Sequence, residues 1–374
     1  MGKTKKQSYK ITKTGIILFL ILSIILITLT FCFKTQIEEK LNSGTNALVI
    51  DYNGLVMHTI NVGQAEAIMI KLPDNKNMLV DSGGNGTKGS KTPEELIDYL
   101  NNTYFASTTN KVIDYFVITH SDADHVGGAS LIFESYQVNK VYRPNIFSTK
   151  VEADVNYVAD YTKKEVTTEI WKNTVNSMYA EPDCEVIFSK AGINISGENY
   201  TIKFCSPTEN YYSDVNAFSP LIEISFSGRK LLLTGDATYK SETTALENLS
   251  DVDILKVAHH GGNTGTGEDF LEIVKPEYAI FSCNSEGNNY GHPTQEVLNR
   301  VMNYVLENNI YRTDLNGNIL MSISSTGEIA FETDVENASF YIRAEYLLIF
   351  AEGVLFTICF CIKSKNKGEV KKKN

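Results

Sequence analysis

The chain has 374 residues, and 43% of them are hydrophobic, which is enough for a large buried core in one or two domains. The formal net charge is −11, and lysines are concentrated at the two ends. Because the middle of the chain is therefore strongly acidic, the composition excludes a protein that holds a phosphate polymer by bulk electrostatics. The six cysteines show no CxxC spacing, which excludes a zinc ribbon.

Both ends carry apolar segments beside lysine-rich tails. Residues 15–33 contain no charge and follow a basic tail at 1–14, and their length suits a helix across a bilayer. Residues 346–362 are also apolar, although Glu352 interrupts them, and a basic tail follows at 363–374. Because basic flanks stay in the cytoplasm, we predict two transmembrane helices in the cell membrane with the domain between them outside the cell. The alternatives are a signal peptide at the start and a buried or amphipathic helix at the end.

The elements of the first half follow a polar linker at 34–54. Short apolar runs bounded by turn residues predict strands, and Thr92, Pro93 and Glu95 form a capping box that predicts a helix start. The predicted elements are strands at 55–60, 66–72 and 77–81, a helix from 92, a strand at 111–119 and a helix over 127–136.

The second half begins with a region, 141–200, in which only a helix over 165–179 is predicted. Strands and helices then alternate. The predicted elements are strands at 219–226 and 230–236, a helix at 240–249, a strand at 251–260, a helix at 268–275, a strand at 277–283 and a helix at 291–309. This alternation predicts an α/β (α+β) domain with a sheet core and helices outside.

Metal-binding residue types follow four of the strand-like runs. They are Asp81, His120, Asp122, Asp124, His125, Asp236, His259 and His260. Four of the six histidines are in this set, and His292 opens the helix predicted at 291. Ligands collect at strand ends in α/β folds, so we expect one site. Alternate residues of an extended segment point the same way, so His120 and Asp122 can bind one metal ion. Asp124 and His125, after a turn, can bind another.

The segments VDSGG, THSDADHVGG, LLLTGDA, LKVAHHGG and NYGHP together resemble the metallo-β-lactamase superfamily. The resemblance is greatest to the metallo-β-lactamase-like domain of ComEC competence proteins, and the chain looks like a stand-alone, membrane-anchored relative. NVGQAEAIMI at 61–70 is similar to that group's opening strand, with Asn61, Ala65 and Glu66 in place of Asp, Gly and Asp. The resemblance covers 55–335 and implies an αββα sandwich with two metal ions at one sheet edge.

The resemblance also implies ligand roles. The first metal ion is expected at His120 and Asp122, the second at Asp124, His125 and His260, and Asp236 is expected to bridge them. Asp81 is expected behind the loop, where it orients a ligand. His260 is assigned to the metal because it lies nearest the Gly-Gly turn, which leaves His259 to contact the substrate or pass protons. Asp124, His259 and His292 are the catalytic candidates, and His292 at a helix start would bind phosphate.

One histidine of the family pattern is missing, because residues 126–235 contain no His. Asp214, Asn216, Ser219 or a water molecule is expected to fill that ligand position. The first metal position then has one imidazole and otherwise oxygen ligands, which shifts the preference from Zn²⁺ towards Mn²⁺. The predicted cofactors are two divalent ions, Zn²⁺ or Mn²⁺.

Three functions are considered. The first is a metal-dependent phosphodiesterase or nuclease that uses a hydroxide activated by two metals on nucleic acid or a cell-envelope phosphodiester. The second is hydrolysis of a β-lactam or of another ester or amide. Asp122 and the missing histidine differ from the ligand set of zinc β-lactamases. The third is an anchored binding protein without catalysis. The sequence identifies no protein partner.

Overall fold

The computed structural model describes residues 13–32, 50–148, 164–284, 288, 290–335, 351 and 355–356. The chain divides into two units, one made of the termini (Met1–Ala47 and Ala338–Asn374) and one made of Leu48–Asn337. The terminal unit contains helix α1 (Lys13–Cys32). All other elements below belong to the second unit.

The predicted membrane spans are not confirmed. Among the residues that the structure describes, none of the helices combines the length and the apolar character needed to cross a bilayer. Within α1, side chains are described for residues 16 and 19–30, and most of 346–362 lies outside the described residues. The two transmembrane helices and their orientation therefore stay predictions.

The strands of the second unit are numbered in chain order. They are β1 (Leu55–Thr59), β2 (Ile68–Lys71), β3 (Asn77–Val80), β4 (Val112–Ile113), β5 (Tyr115–Val117), β6 (Gln137–Val138), β7 (Lys140–Arg143), β8 (Glu185–Phe188), β9 (Asn194–Ser196), β10 (Tyr200–Phe204), β11 (Ile222–Phe226), β12 (Arg229–Leu233), β13 (Ile254–Lys256), β14 (Tyr278–Phe281), β15 (Ile310–Arg312), β16 (Ile319–Ile323) and β17 (Ile329–Thr333).

The helices are short. They are α2 (Pro93–Tyr99), α3 (Ala123–Val126), α4 (Ala129–Ser135), α5 (Glu169–Ala180), α6 (Tyr239–Ala245), α7 (Glu268–Val274), α8 (Gln295–Met302) and α9 (Thr313–Asn316). A π-helical segment covers Leu100–Tyr104, and 3₁₀ turns cover Asn216–Phe218, Leu246–Asn248, Ala258–Gly261 and Glu307–Asn309. The capping box at the start of α2 is confirmed, since Thr92 N donates to Glu95 Oε2 at 2.8 Å.

Two sheets hold the site-bearing loops. The first has eight strands in the order β17-β16-β1-β2-β3-β5-β7-β8, and the second has seven in the order β15-β14-β13-β12-β11-β10-β9. Strands β3, β5 and β7 are parallel, as are β12, β13 and β14. Parallel strands end at the same edge of their sheet. The loops after β3 and β5 therefore lie together at one edge of the first sheet, and the loops after β12 and β13 lie together at one edge of the second.

The hydrophobic cores follow the two-residue period of the strands. Met78 and Val80 of β3 face the core between the sheets, while Leu79 faces the helices of the first sheet. In the same way, Leu231 of β12 faces the inter-sheet core and Leu232 faces the helices of the second sheet. The order of layers is helix, sheet, sheet, helix, which confirms the predicted α/β class and the αββα arrangement.

Some predicted elements differ from the structure. The run 111–119 is split into β4 and β5, because the carboxylate of Asp114 turns back to accept from Asn77 N at 2.9 Å. The helix predicted at 291–309 is only α8, because Pro293 precedes it and Thr294 Oγ1 caps it by accepting from Val297 N. The region 141–200 contains strands β8 and β9, whose side chains are at most partly buried. Its last residue, Tyr200, is the first residue of β10.

Candidate metal centre

The chemically active residues meet where strands of both sheets end. Asp81 follows β3, residues 120–125 follow β5, Asp236 follows β12, and residues 259–260 follow β13. A cavity of about 280 Å³ lies at this place, and its lining includes Asp122, Asp124, Asp236, His259, His260 and His292. The edge predicted from the strand-like runs is therefore where these side chains lie.

Asp81 is fully buried behind the loop 120–125. Its Oδ1 accepts from Thr119 N at 2.8 Å, and its Oδ2 accepts from Thr119 Oγ1 at 2.7 Å. The same Oδ2 lies 2.6 Å from His125 Nδ1. The backbone of Asp81 is left-handed, with φ of 57°, a conformation that Asp tolerates better than most residues. Asp81 therefore holds both the start of the loop and one imidazole.

Three imidazoles point their Nε2 atoms towards a common space, and each Nδ1 is held from behind. His125 is held by Asp81, and His260 Nδ1 lies 2.7 Å from the carbonyl oxygen of Ser282. His120 Nδ1 lies 3.0 Å from Thr119 Oγ1. Metal-binding histidines are commonly oriented by such outer contacts, which select the tautomer with a free Nε2.

The Asp236 carboxylate lies between two groups of donors. Its Oδ1 lies 3.2 Å from His125 Nε2 and 3.7 Å from His260 Nε2. Its Oδ2 lies 3.9 Å from His120 Nε2 and 3.5 Å from His259 Nε2. The two oxygens thus face opposite halves of the site, as a bridging carboxylate must.

Two more carboxylates complete the halves. Asp122 Oδ2 lies 3.8 Å from His120 Nε2, and Asp124 Oδ2 lies 3.5 Å from His260 Nε2. Both aspartates border the cavity, with side chains 49% and 33% exposed. The structure therefore brings together every residue that the sequence analysis assigned to the two ions.

Unpaired buried atoms show that divalent ions suit this arrangement. Among the residues that the structure describes, His120 Nε2 is buried without a hydrogen-bond partner, and Asp236 Oδ1 has only the imidazole of His125, whose Nε2 is 3.2 Å away. Donor atoms also fall into groups within 4.8 Å of one another, including His120, His125 and Asp236. Buried polar atoms without partners are rare in proteins, and imidazole and carboxylate donors are ligands for Zn²⁺ and Mn²⁺. The residues present therefore fit metal ions.

Opposite charges in this buried space displace several pKa values. Burial alone would lower the pKa of His125, but Asp236 and Asp81 outweigh it and raise that pKa well above 6.5. Burial alone would raise the pKa of Asp236, but His125, His259 and His260 hold it well below its ordinary value. The carboxylates of this buried space therefore stabilise positive charge, whether it lies on the imidazole of His125 or on a bound cation.

His259 and His292 occupy the open side of the cavity. His259 has a left-handed φ of 51°, its side chain is 21% exposed, and its Nδ1 lies 2.5 Å from Thr264 Oγ1. The rings of His259 and His292 are 5.2 Å apart. The expectation that His292 begins a helix is wrong, because Thr294 is the N-cap. Burial, and then the neighbouring His259, lower the pKa of His292 to about 4, which keeps it neutral at pH 7.

Residues 60–190 match the family model described as Metallo-beta-lactamase superfamily. Over this segment, about a third of its length, the chain is similar to the metallo-β-lactamase superfamily.

Curated relatives agree with this assignment. The chain is 24% identical over 269 residues to ComE operon protein 3 of Bacillus subtilis (strain 168), a match that covers 70% of this chain and 32% of the relative. It is 28% identical over 246 residues to Recombination protein 2 of Haemophilus influenzae, covering 66% and 26%. It is 34% identical over 128 residues to Competence protein ComA of Neisseria gonorrhoeae, covering 33% and 18%. The resemblance to ComEC-like competence proteins is confirmed, and the chain spans about a third or less of each relative's length.

Asp214, Asn216 and Ser219 were the residues expected at the ligand position without a histidine. Asp214 is exposed, and its Oδ1 accepts from Asn216 N at 3.1 Å. Ser219 is buried, but its Oγ lies 3.4 Å from His120 Nδ1 and accepts from Asp236 N at 3.2 Å. Ser219 thus contacts the rear of His120 and steadies Asp236, a role that its place in the sequence did not indicate.

Glu242 was also missed by sequence reasoning, although it holds the loop that follows His260. Thr266 N donates to its Oε1 at 2.5 Å and Gly267 N donates to its Oε2 at 3.0 Å. The side chain is nearly fully buried, and burial raises its pKa from 4.5 to about 7 despite these two bonds. No motif marks this residue, because its partners lie more than 20 positions away in the sequence.

The raised pKa of Glu242 has a measurable consequence for the metal-free domain. Because the folded state binds the proton more tightly than the unfolded state, this group stabilises the fold below pH 4.5, and its contribution is lost as the pH rises towards 7. Relative to Glu242→Gln, the wild-type free energy of unfolding should fall by up to about 3 kcal/mol across that interval. Urea titrations at pH 4.5, 5.5 and 7 in the presence of a chelator measure the difference. Glu247→Gln, at an exposed glutamate nearby, is the control, and parallel profiles for all three proteins would contradict the prediction.

Proposed function

We propose that the chain is a metal-dependent hydrolase of phosphodiesters. One observation supports this most directly: Asp122 Oδ2 lies 3.8 Å from His120 Nε2, so the half of the site around His120 is rich in oxygen donors. Oxygen donors favour Mn²⁺ and Mg²⁺, and these ions combine readily with phosphate oxygens. A zinc site for β-lactam hydrolysis would have a histidine in place of this aspartate.

The proposed ligands form two sets that share Asp236. The first contains His120 and Asp122, and the second contains Asp124, His125 and His260. When bound, two divalent ions activate a water molecule and offset the charge that develops on the phosphoryl oxygens. Asp81 keeps the Nε2 of His125 free for its ion by holding Nδ1. Thr119 Oγ1 and Ser219 Oγ, both near Nδ1, fix the ring of His120.

Residues on the open side of the cavity would handle the substrate. His259 Nε2 lies 3.5 Å from Asp236 Oδ2 and borders the cavity, so it is placed to contact a phosphoryl oxygen or to move a proton. His292 is neutral at pH 7, and its buried Nδ1 has no partner among the described residues. Because His292 also borders the cavity, its ring is placed to contact the substrate. Asp124 is proposed both as a ligand and, through its exposed edge, as a catalytic group.

The proposed substrate is a phosphodiester of nucleic acid or of the cell envelope. The proposed location is the cell membrane, with the domain on the outside. Support comes from α1, where Ile16, Leu20 and Ile24 expose large apolar side chains. The lysine-rich tails at 1–14 and 363–374, next to the two apolar segments, also support it. Large apolar side chains that are exposed at successive turns of a helix favour a non-aqueous neighbour.

Two chromogenic substrates separate the candidate functions. The purified full-length protein is incubated with bis-p-nitrophenyl phosphate or with nitrocefin, each with Mn²⁺ or Zn²⁺. We expect the phosphodiester to be hydrolysed with Mn²⁺, no hydrolysis of nitrocefin, and complete loss of turnover with a chelator. Hydrolysis of nitrocefin alone would replace the proposal with a β-lactamase. Bound metal without turnover of either substrate would indicate a binding protein.

A further inference from the structure

A buried ion pair lies beside the metal centre and has no part in the scheme above. Lys256 Nζ lies 2.5 Å from Glu66 Oε2, and both side chains are fully buried. Lys256 ends β13 and also donates to Val257 O at 3.0 Å. A buried pair gives little net stability on its own, since desolvation offsets the attraction between its charges. The pair therefore needs another explanation.

The carboxylate of Glu66 lies among the donors of the site. Among the described residues, Glu66 Oε1 is buried without a hydrogen-bond partner. A carboxylate oxygen of Glu66, a nitrogen of His260 and an oxygen of Asp236 lie within 4.8 Å of one another. The backbone of Glu66 is fixed as well, because its N–H donates to Asp124 O at 3.1 Å and its C=O accepts from Gly83 N at 2.7 Å. Glu66 is thus held against two of the site's loops.

We propose that Glu66 is a further oxygen ligand of the ion held by His260 and Asp236, and that Lys256 fixes its position. Donor atoms of all three residues lie within 4.8 Å of one another, so the Glu66 carboxylate would add an oxygen to the donors of that ion. Lys256 contacts Glu66 Oε2 and holds the carboxylate in position. Because the pair is neutral as a whole, Glu66 adds a ligand without adding net charge.

The length of the side chain matters for this role. Aspartate at position 66 would keep the negative charge but is one methylene shorter, so its carboxylate could not bond to Lys256 Nζ and approach the ion together. The additional oxygen makes the donor set around this ion harder, which favours Mn²⁺ over Zn²⁺. The inference rests on the proposed metal centre and is independent of the substrate.

Metal binding by the full-length protein tests this directly. The metal-free wild type, Glu66→Asp and the double variant Glu66→Gln with Lys256→Met are titrated calorimetrically with Mn²⁺. The double variant removes both charges, so the net charge of the site is unchanged and no buried charge is left unpaired. Glu223→Gln is the matched control, since Glu223 is also buried and lies 4.0 Å from a lysine, Lys230, outside the site.

We expect the Kd for one Mn²⁺ to rise at least about tenfold in Glu66→Asp and in the double variant, and to stay within about twofold in Glu223→Gln. Circular dichroism of the metal-free proteins shows whether each variant folds. A double variant that folds and binds Mn²⁺ with wild-type affinity overturns the proposal. If the double variant does not fold, unchanged affinity in Glu66→Asp overturns it. If the Glu66 proposal fails in this way, the proposal of a metal-dependent hydrolase still stands. A wild-type protein that binds no Mn²⁺ would contradict both proposals.

Discussion

Replacement of Asp236 by alanine should remove both ions and lower phosphodiester hydrolysis by a factor on the order of a thousand or more. Asp236 is the residue whose two oxygens face different donor groups, at 3.2 Å from His125 Nε2 and 3.5 Å from His259 Nε2. Without the Asp236 carboxylate, each half of the site loses the oxygen that lies next to its imidazoles. Metal content by mass spectrometry and turnover of bis-p-nitrophenyl phosphate measure the two effects.

The control for this variant is Asp251→Ala, at an exposed aspartate outside the site, which should retain wild-type metal content and turnover. The shape of the metal-free domain should survive in Asp236→Ala, because the backbone of Asp236 is held by Ser219 Oγ rather than by its own carboxylate. Two ions retained per molecule of Asp236→Ala, with normal turnover, would refute the bridging role.

Replacement of Asp81 by asparagine should weaken metal binding by a factor of about 10 to 100 while the fold persists. Asparagine has the same shape and also tolerates the left-handed backbone found at this position, where φ is 57°. What is lost is the negative charge 2.6 Å from His125 Nδ1, which holds that ring and raises its basicity as a ligand. Calorimetric titration with Mn²⁺ gives the affinity, and circular dichroism gives the fold.

A matched control for Asp81 lies at the other end of the same sheet. Asp114 precedes β5, and its carboxylate likewise accepts from a backbone N–H, that of Asn77, at 2.9 Å. Asp114→Asn should reduce stability in the same way but leave Mn²⁺ affinity unchanged. Equal losses of affinity in the two variants would mean that Asp81 acts only through the stability of the domain.

The layered fold was predictable because its signals are local. Strands β3 and β12 are short apolar runs bounded by turn residues, and they are apolar on both faces because each lies between two cores. The region 141–200 resisted prediction because its strands β8 and β9 are only four and three residues long and partly exposed. Their place is set by pairing with β7 and β10 rather than by their own sequence.

The candidate site was predictable in its members but not in its geometry. The loop THSDADHVGG and the residues that end neighbouring strands pointed to one edge, because parallel strands must end together. The difference between His259 and His260 depends on two successive left-handed residues, with φ of 51° and 53°, which leave the ring of His260 buried and the ring of His259 partly exposed on the open side of the cavity. No spacing rule expresses that turn.

By itself, the sequence determined the residue types of the metal centre, the strand ends that carry them and the family to which the domain is similar. Only the tertiary structure decided which atoms meet. Lys256 and Glu66 are 190 positions apart, and Ser219 lies 99 positions from the imidazole it contacts. Such contacts are created by the packing of two sheets, and their distances depend on strand register and twist that no short segment encodes.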